Sequence, residues 1–370
     1  MNTSIGLGIM SGSSLDGLDL ALCRFAYDVT DDKMNIHAWE IIESETFELS
    51  VFWQERLSKA YLTNAKELWL AHNTFGKYIG DQVKTFLKRT DIRPDFVASH
   101  GHTVFHEPQN YMTLQIGHGA AIAATCGLTT ICDFRSIDVA LGGQGAPMIP
   151  IAEQLLFSEF PLCLNIGGIT NLSARIDDRY VALDISPANQ VLNKLASHTG
   201  QSYDQDGLTA RSGKLQPELI TALKKLDYFS NPYPKSLDNN WVMKDLWPVI
   251  KSFDFSPEDK LNTFCEFIAN RVSAELKNIS TREGVDFSGD RMLVTGGGAY
   301  NQFLIDCIEE RVRRENGVEV SIPENSLVEF KEALLMALAG LLRLNHIPNF
   351  LASVTGASRD NIGGCVYLAS

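Results

Sequence analysis

The chain opens on an apolar segment, Ile5-Gly6-Leu7-Gly8-Ile9-Met10, followed by a small polar turn, Ser11-Gly12-Ser13-Ser14, and a second apolar segment, Leu18-Asp19-Leu20-Ala21-Leu22-Cys23. This pattern is a β-hairpin with a Gly/Ser tip. Such a tip points several backbone N–H groups and hydroxyls at one place, which suits an anion. Asp16 and Asp19 beside it suit a hydrated divalent cation. Phosphate with metal means nucleotide chemistry; an ordinary Ser/Gly hairpin is the other reading of the same residues. The theme returns in the second half, where Leu162-Cys163-Leu164-Asn165-Ile166 and Ile169-Thr170-Asn171-Leu172-Ser173 flank Gly167-Gly168.

A chain of 370 residues is long for one core, so two domains are expected. A net charge of −13 argues against nucleic acid or an anionic membrane as partner, since both are polyanions. No apolar run reaches the length of a membrane span, and the N-terminus enters a strand without a basic leader. The seven cysteines are scattered, never in CxxC spacing and mostly in apolar surroundings, as free thiols in a reducing compartment are. A cytoplasmic protein is expected.

Helical periodicity runs over 65–89, with Leu68, Leu70, Phe75, Ile79, Val83 and Phe86 on one face, and again over 257–279. Asp95-Phe96-Val97-Ala98-Ser99 is a short buried strand, and His100-Gly101-His102-Thr103 stands at its carboxyl end, where ligands of α/β sheets collect. His100, His102, His106 and His118 invite a metal, but no Cys or acid stands at ligand spacing, so hydrogen-bonding roles are favoured. The segment Leu141-Gly142-Gly143-Gln144-Gly145-Ala146-Pro147 permits close backbone approach to a ligand, or is a tight turn between domains. Tyr180-Val181-Ala182-Leu183-Asp184 is a buried strand ending in an acid, either a cap for the helix near Asn189 or a catalytic base. Near the end, Met292-Leu293-Val294-Thr295 opens onto Gly296-Gly297-Gly298 and a helix, a junction suited to phosphates and adenosine.

No GxxxxGK followed by Ser or Thr occurs, which excludes a P-loop. Gly6-Leu7-Gly8-Ile9-Met10-Ser11 lacks the last Gly of GxGxxG. Two hairpin phosphate loops plus a Gly-rich strand–helix junction resemble the actin and sugar-kinase superfamily. Within it, the closest resemblance is to the anhydro-N-acetylmuramic acid kinases. It rests on Met10-Ser11-Gly12-Ser13-Ser14-Leu15-Asp16-Gly17, Ser99-His100-Gly101-His102-Thr103, Thr113-Leu114-Gln115-Ile116-Gly117, Asp133-Phe134-Arg135, Gly142-Gly143-Gln144-Gly145-Ala146-Pro147, Asn165-Ile166-Gly167-Gly168, Gly296-Gly297-Gly298-Ala299 and Ser353-Val354-Thr355-Gly356-Ala357-Ser358. The chain departs from the family's usual pattern at Ser13 (usually Thr), at His102 (often Gln), and at Asp184-Ile185-Ser186-Pro187-Ala188-Asn189, where DTGPGN is usual. Ile185 and Ala188 are stiffer and larger there, which bears on sugar affinity and rate.

The resemblance implies an α/β chain of two similar actin-like (ribonuclease-H-like) domains, each a mixed sheet flanked by helices, with an ATP cleft between them. The expected boundaries are 1–127 plus 348–370 for the first domain and 128–347 for the second. It implies an ATP- and Mg²⁺-dependent enzyme that hydrolytically opens 1,6-anhydro-N-acetylmuramic acid and phosphorylates O6, in cell-wall sugar recycling, and a homodimer. Asp184 is then the base. Gly12, Ser13, Ser14, Asp16, Gly17, Gly167, Gly168, Gly296, Gly297 and Gly298 face ATP, and Asp16 holds Mg²⁺ through water. His100, Thr103, Arg135, Gln144 and Glu332 face the sugar. A purely structural ion pair at Arg135 and a helix-dipole role for Glu332 are the other readings of those two. A kinase of another sugar, or a nucleotide-gated binding protein of the same superfamily, is the alternative function.

Overall fold

The computed structural model describes every residue except Ser13, Ser14, Asp16, Asp32, Asp178, Pro234, Asp238 and Ser370, and the side chain of Asn239. The chain divides into two compact units, Met1–Phe157 with Phe330–Ser370, and Ser158–Glu329.

In the first unit, β1 (Asn2–Ser11) and β2 (Gly17–Thr30) form the expected hairpin, and β3 (Lys33–Glu48) continues it antiparallel as one long strand. Next come β4 (Phe96–Ser99), a separate hairpin of β5 (His102–Glu107) and β6 (Met112–Ile116), and β7 (Thr130–Cys132). The main sheet has the order β3-β2-β1-β4-β7, with β4 and β7 parallel to β1, and the last strand Cys365–Tyr367 closes its edge. Leu7, Ile9, Leu18, Leu20 and Leu22 cover one face and pack with Phe75, Ile79 and Val83 of the helix Ala65–Leu87. Leu70, placed on the apolar face by periodicity, is exposed. The other face carries Gly8, where a Cβ would lie 1.8 Å from Ala333 O, so the helix running to Leu344 sits directly on the β1 backbone. Gly6 and Gly8 thus serve packing.

The second unit contains β8 (Leu162–Ile166), β9 (Ile169–Ile176), β10 (Arg179–Pro187), β11 (Arg291–Thr295) and β12 (Glu319–Ser321). Their order is β10-β9-β8-β11-β12, antiparallel through the first three and parallel through the last three. Strand for strand this repeats β3-β2-β1-β4-β7, the actin-like, ribonuclease-H-like arrangement. The helices Pro257–Glu283 and Gln302–Asn316 flank this sheet, and Phe264, Ile268, Val272, Leu304 and Ile308 join its strands in one core.

These units differ from the boundaries expected at 127/128 and 347/348. The strand β7 pairs with β4, and the helix Asn325–Leu344 packs from Ala333 onward on β1, so both segments are held in the first unit by partners distant in sequence. The Gly-rich loop at 142–147 accordingly lies within one unit and is no connector.

Candidate active site

In the second unit, β10 carries Asp184 at a register shift between Asp184 and Ser186. Its backbone N–H donates to Lys235 O at 3.0 Å, and its carbonyl accepts the Tyr228 hydroxyl at 2.7 Å. Oδ2 accepts the Leu237 N–H at 2.8 Å and the Ser236 hydroxyl at 3.1 Å. Oδ1 takes no hydrogen bond from a described residue. Burial raises the carboxyl pKa, against the pull of the Leu237 and Ser236 donors, and this arrangement could serve a general base. The helix Asn189–Ala196 starts from Ala188 without a side-chain cap, which removes the capping role for Asp184. Ile185 and Ala188 are fully buried in the sheet core, so these departures from the family pattern act through packing.

The β8–β9 tip is locked to the helix that follows Asp184: Ala188 N–H donates to Gly168 O at 2.8 Å and Asn189 N–H to Gly167 O at 3.1 Å. Gly296 has φ +85°, and a Cβ on it would lie 2.8 Å from Ile166 O. The triple-Gly turn is thereby pressed against the Gly167–Gly168 hairpin. Gly297 lines a cavity of about 480 Å³ together with Asn189, Tyr203, Asp206, Tyr300 and Glu329. That volume suits a nucleoside, and the acidic rim suits ribose hydroxyls rather than phosphates. In the sequence alone, 203–207 reads only as an acidic turn.

In the first unit, Ser13, Ser14 and Asp16, expected at the phosphates and the metal, lie outside the described residues. Burial lowers the pKa of the His102 ring, against a smaller pull from the Gly12 backbone, and Gly17 opens β2 opposite Glu48. His100 is buried with Nδ1 2.9 Å from Gly101 O, which places the proton on Nδ1 and leaves Nε2 as an acceptor without a partner among the described residues. Burial, then the Arg135 charge, hold its pKa down to about 3, so the ring is neutral. Ser11 Oγ and Ser99 Oγ, at the carboxyl ends of β1 and β4, are also buried without a hydrogen-bond partner among the described residues. Orphaned polar atoms clustered at strand ends are what a polyhydroxylated ligand would satisfy.

Arg135 stands at the start of the helix Ser136–Ala140, largely buried, with its charge opposed by burial and supported by Glu332. Glu332 is reached by solvent yet walled by protein; burial raises its pKa, Lys331 and Arg135 lower it, and Asp19 raises it. The helical run Asn325–Leu344 is broken at Phe330, whose backbone is not helical, so Glu332 stands in the first turn of the segment that continues to Leu344. Arg135 also acts on the His106 ring, so His100, His106, Arg135 and Glu332 form one electrostatic group. Thr103 is linked instead to Gln115 Nε2, at 3.4 Å. Gln144 is exposed, with its N–H on Thr355 O at 2.8 Å.

The Gly-rich loop hangs on Asp138, fully buried, whose carboxylate accepts Gly145 N–H at 2.7 Å, Thr355 Oγ1 at 2.8 Å and Asn361 Nδ2 at 2.7 Å. The only hint of this in the sequence is an acid shortly before the glycines. Among the described residues, no group of three or more His, Cys, Asp or Glu side chains is placed to hold a metal ion. Nor is any helix among them long and apolar enough to cross a membrane.

Two actin-like sheets, one carrying a carboxylate with an oxygen unengaged by any described residue near a glycine-built hairpin, fit a phosphotransferase acting on a small molecule. Comparison with known proteins narrows this. The family model described as "Anhydro-N-acetylmuramic acid kinase" matches residues 4–369, and the chain belongs to that family. Relatives bearing that name include those of Aliivibrio fischeri, 32% identical over 98% of this chain and 99% of that one, and Pseudomonas syringae pv. tomato, 33% identical over 98% and 99%. That of Vibrio cholerae is 30% identical over 98% and 97%. The solved activator of a 2-hydroxyisocaproyl-CoA dehydratase from Clostridium difficile, with bound ADPNP, aligns over 90% of this chain and 93% of its own. At 12% identity and a TM-score of 0.43, that likeness is remote and carries no argument.

Proposed function

We propose that the protein uses ATP and water to open 1,6-anhydro-N-acetylmuramic acid and phosphorylate its O6, giving N-acetylmuramate 6-phosphate and ADP. The observation that carries this is Asp184, with Oδ2 engaged by two donors and Oδ1 without one among the described residues. Oδ1 takes a proton from water as the water oxygen attacks the anomeric carbon. The C1–O6 bond breaks, and O6, gaining negative charge, attacks the γ-phosphorus of ATP. The phosphoryl group captures O6, so no separate acid is needed, and ADP leaves.

On this reading Gly12, Ser13, Ser14, Gly17, Gly167 and Gly168 face the phosphates, and Gly296–Gly298 with the adjoining cavity take adenosine. Neutral His100 accepts from a sugar donor at Nε2, and Arg135 pairs with the lactyl carboxylate. Thr103, Gln144 and Glu332 complete the sugar contacts. Mg²⁺ arrives as the counter-ion of ATP, and Asp16 is assigned to its water shell; no step above depends on that assignment.

The test is ADP release with MgATP and 1,6-anhydro-N-acetylmuramic acid for wild type and Asp184→Asn, with N-acetylmuramic acid and glucose as control acceptors. Turnover only with the anhydro sugar, lost in Asp184→Asn, is the expected result. Turnover with another acceptor alone overturns the substrate, and sugar-independent ATP hydrolysis overturns the reaction.

A further inference from the structure

Behind Asp184 lies a buried ion cluster that no step above uses. Lys235 Nζ is 2.7 Å from Glu275 Oε1, and Arg271 Nη2 is 2.6 Å from the same oxygen. The Lys235 and Glu275 side chains are only 4% and 2% exposed. Asn278 Nδ2 donates to Glu275 Oε2 at 3.1 Å, and Lys235 Nζ also donates to Asn231 O at 3.1 Å. Glu275 is anchored within the long helix Pro257–Glu283. Stripping three charges of water costs free energy that apolar side chains of similar volume would avoid, so stability alone is a poor reason for the cluster. Its geometry offers another.

Lys235 begins the segment that holds the base. Its carbonyl accepts Asp184 N–H, and its next two neighbours supply the donors on Asp184 Oδ2. Its ammonium lies 5.2 Å from the centre of the Tyr228 ring, whose hydroxyl donates to the Asp184 carbonyl. Arg271 braces the same corner from below, over the Phe229 ring at 5.2 Å and on Phe229 O at 3.3 Å.

We propose that Glu275, acting through Lys235, is a positioning residue for the reaction: it fixes residues 235–237 so that both donors stay on Asp184 Oδ2 and Oδ1 stays open toward the attacking water. This rests on Asp184 being the base. The charged and titratable groups gathered there are Tyr228, Lys235, Arg271 and Glu275; Asp238 lies outside the described residues. Losing the Ser236 and Leu237 donors raises the pKa of Asp184 further, because those two bonds stabilise its ionised form.

The test compares wild type, Lys235→Met, Lys235→Arg, Glu275→Gln and Asp184→Asn by steady-state kinetics from acid to neutral pH, ATP affinity by calorimetry, and urea midpoint. In Lys235→Met, kcat is expected to fall about tenfold to a hundredfold, with ATP affinity and the KM for the sugar nearly unchanged. The acid limb of kcat/KM moves to higher pH. Lys235→Arg restores most of the rate, and Glu275→Gln shifts both readouts in the same direction by less, since its amide oxygen still accepts from Lys235. Should Lys235→Met fail to fold, Glu275→Gln decides alone. A folded Lys235→Met or Glu275→Gln with wild-type kcat and acid limb overturns the inference while leaving the Asp184 reading intact. Turnover retained in Asp184→Asn overturns the Asp184 reading, and this inference with it.

Discussion

Ile166 fills the place where Gly298 would carry a side chain: a Cβ there would lie 2.2 Å from Ile166 Cγ2. Gly297 beside it has only Asn189 Nδ2 near, at 3.7 Å, and faces the cavity. Neighbouring glycines in one turn therefore have different reasons to be glycine. Gly298→Ala is expected to destabilise the protein by about 1–3 kcal/mol through overpacking, read as a lower urea midpoint. Gly297→Ala is expected to leave that midpoint unchanged and to weaken ATP binding, read by calorimetry. Equal effects of the two on stability would contradict this difference in packing.

Replacing the proposed base tests the chemistry apart from the fold. Asp184→Asn keeps the shape and an oxygen acceptor for Leu237 and Ser236, so folding is expected to be little changed. Turnover should fall by roughly 10²–10⁴, the usual contribution of a positioned general base.

The wild-type pH profile follows from the same carboxyl. Burial raises its pKa above the ordinary aspartate value, and in the proposed role it works only when ionised. Activity is therefore expected to fall as the pH drops through that raised value, an acid limb lying above about 3.9. Asp184 also binds its proton more tightly folded than unfolded. Its own contribution to stability consequently decreases as the pH rises from the unfolded to the folded value.

Buried neutral histidines carry the opposite sign. His100 is held to about 3 and His72 to about 4, both chiefly by burial, and His72 Nδ1 accepts Gly117 N–H at 3.0 Å. Between those values and the ordinary 6.5, the unfolded chain binds protons that the folded one does not. Stability should thus be lost as the pH falls below that ordinary value, by up to about 1.4 kcal/mol per pH unit for each ring. Urea titrations at pH 7 and pH 5 check this, and replacing His100 by Gln should flatten the dependence.

Asp138 holds the Gly-rich loop to the C-terminal tail. In Asp138→Asn an amide N–H₂ must face groups that themselves donate, and the loss is expected to be roughly 2–4 kcal/mol of stability. The KM for the sugar should rise while ATP affinity stays near wild type, because Arg135 adjoins this loop and the cavity proposed for the nucleotide belongs to the other unit. Kinetics with each substrate varied in turn, beside a urea titration, check both expectations.

Both hairpins, the triple-Gly turn and the helix from Pro257 are legible in the sequence because each is a local pattern of apolar spacing and glycine. Asp184 is legible as an acid in a buried strand, but its two readings are not separable there. The donors that engage it, Ser236 and Leu237, are 52 and 53 residues away. The same distance effect hides Asp138, whose partners Thr355 and Asn361 lie 217 and 223 residues on. Glu332 is legible as a helix-start acid, because the helical run is broken at Phe330 and resumes just before it; its neighbours Arg135 and Asp19 come from far away in the chain.

By itself, then, the sequence determined the two repeated hairpins and the inventory of acids, glycines and imidazoles, since periodicity and backbone freedom are properties of neighbouring residues. Only the tertiary structure decided which carboxylate keeps a free oxygen, which imidazole is neutral, and which glycine has no room for a Cβ. Burial and hydrogen bonding are set by partners that the chain brings together from far apart, and no local pattern encodes them.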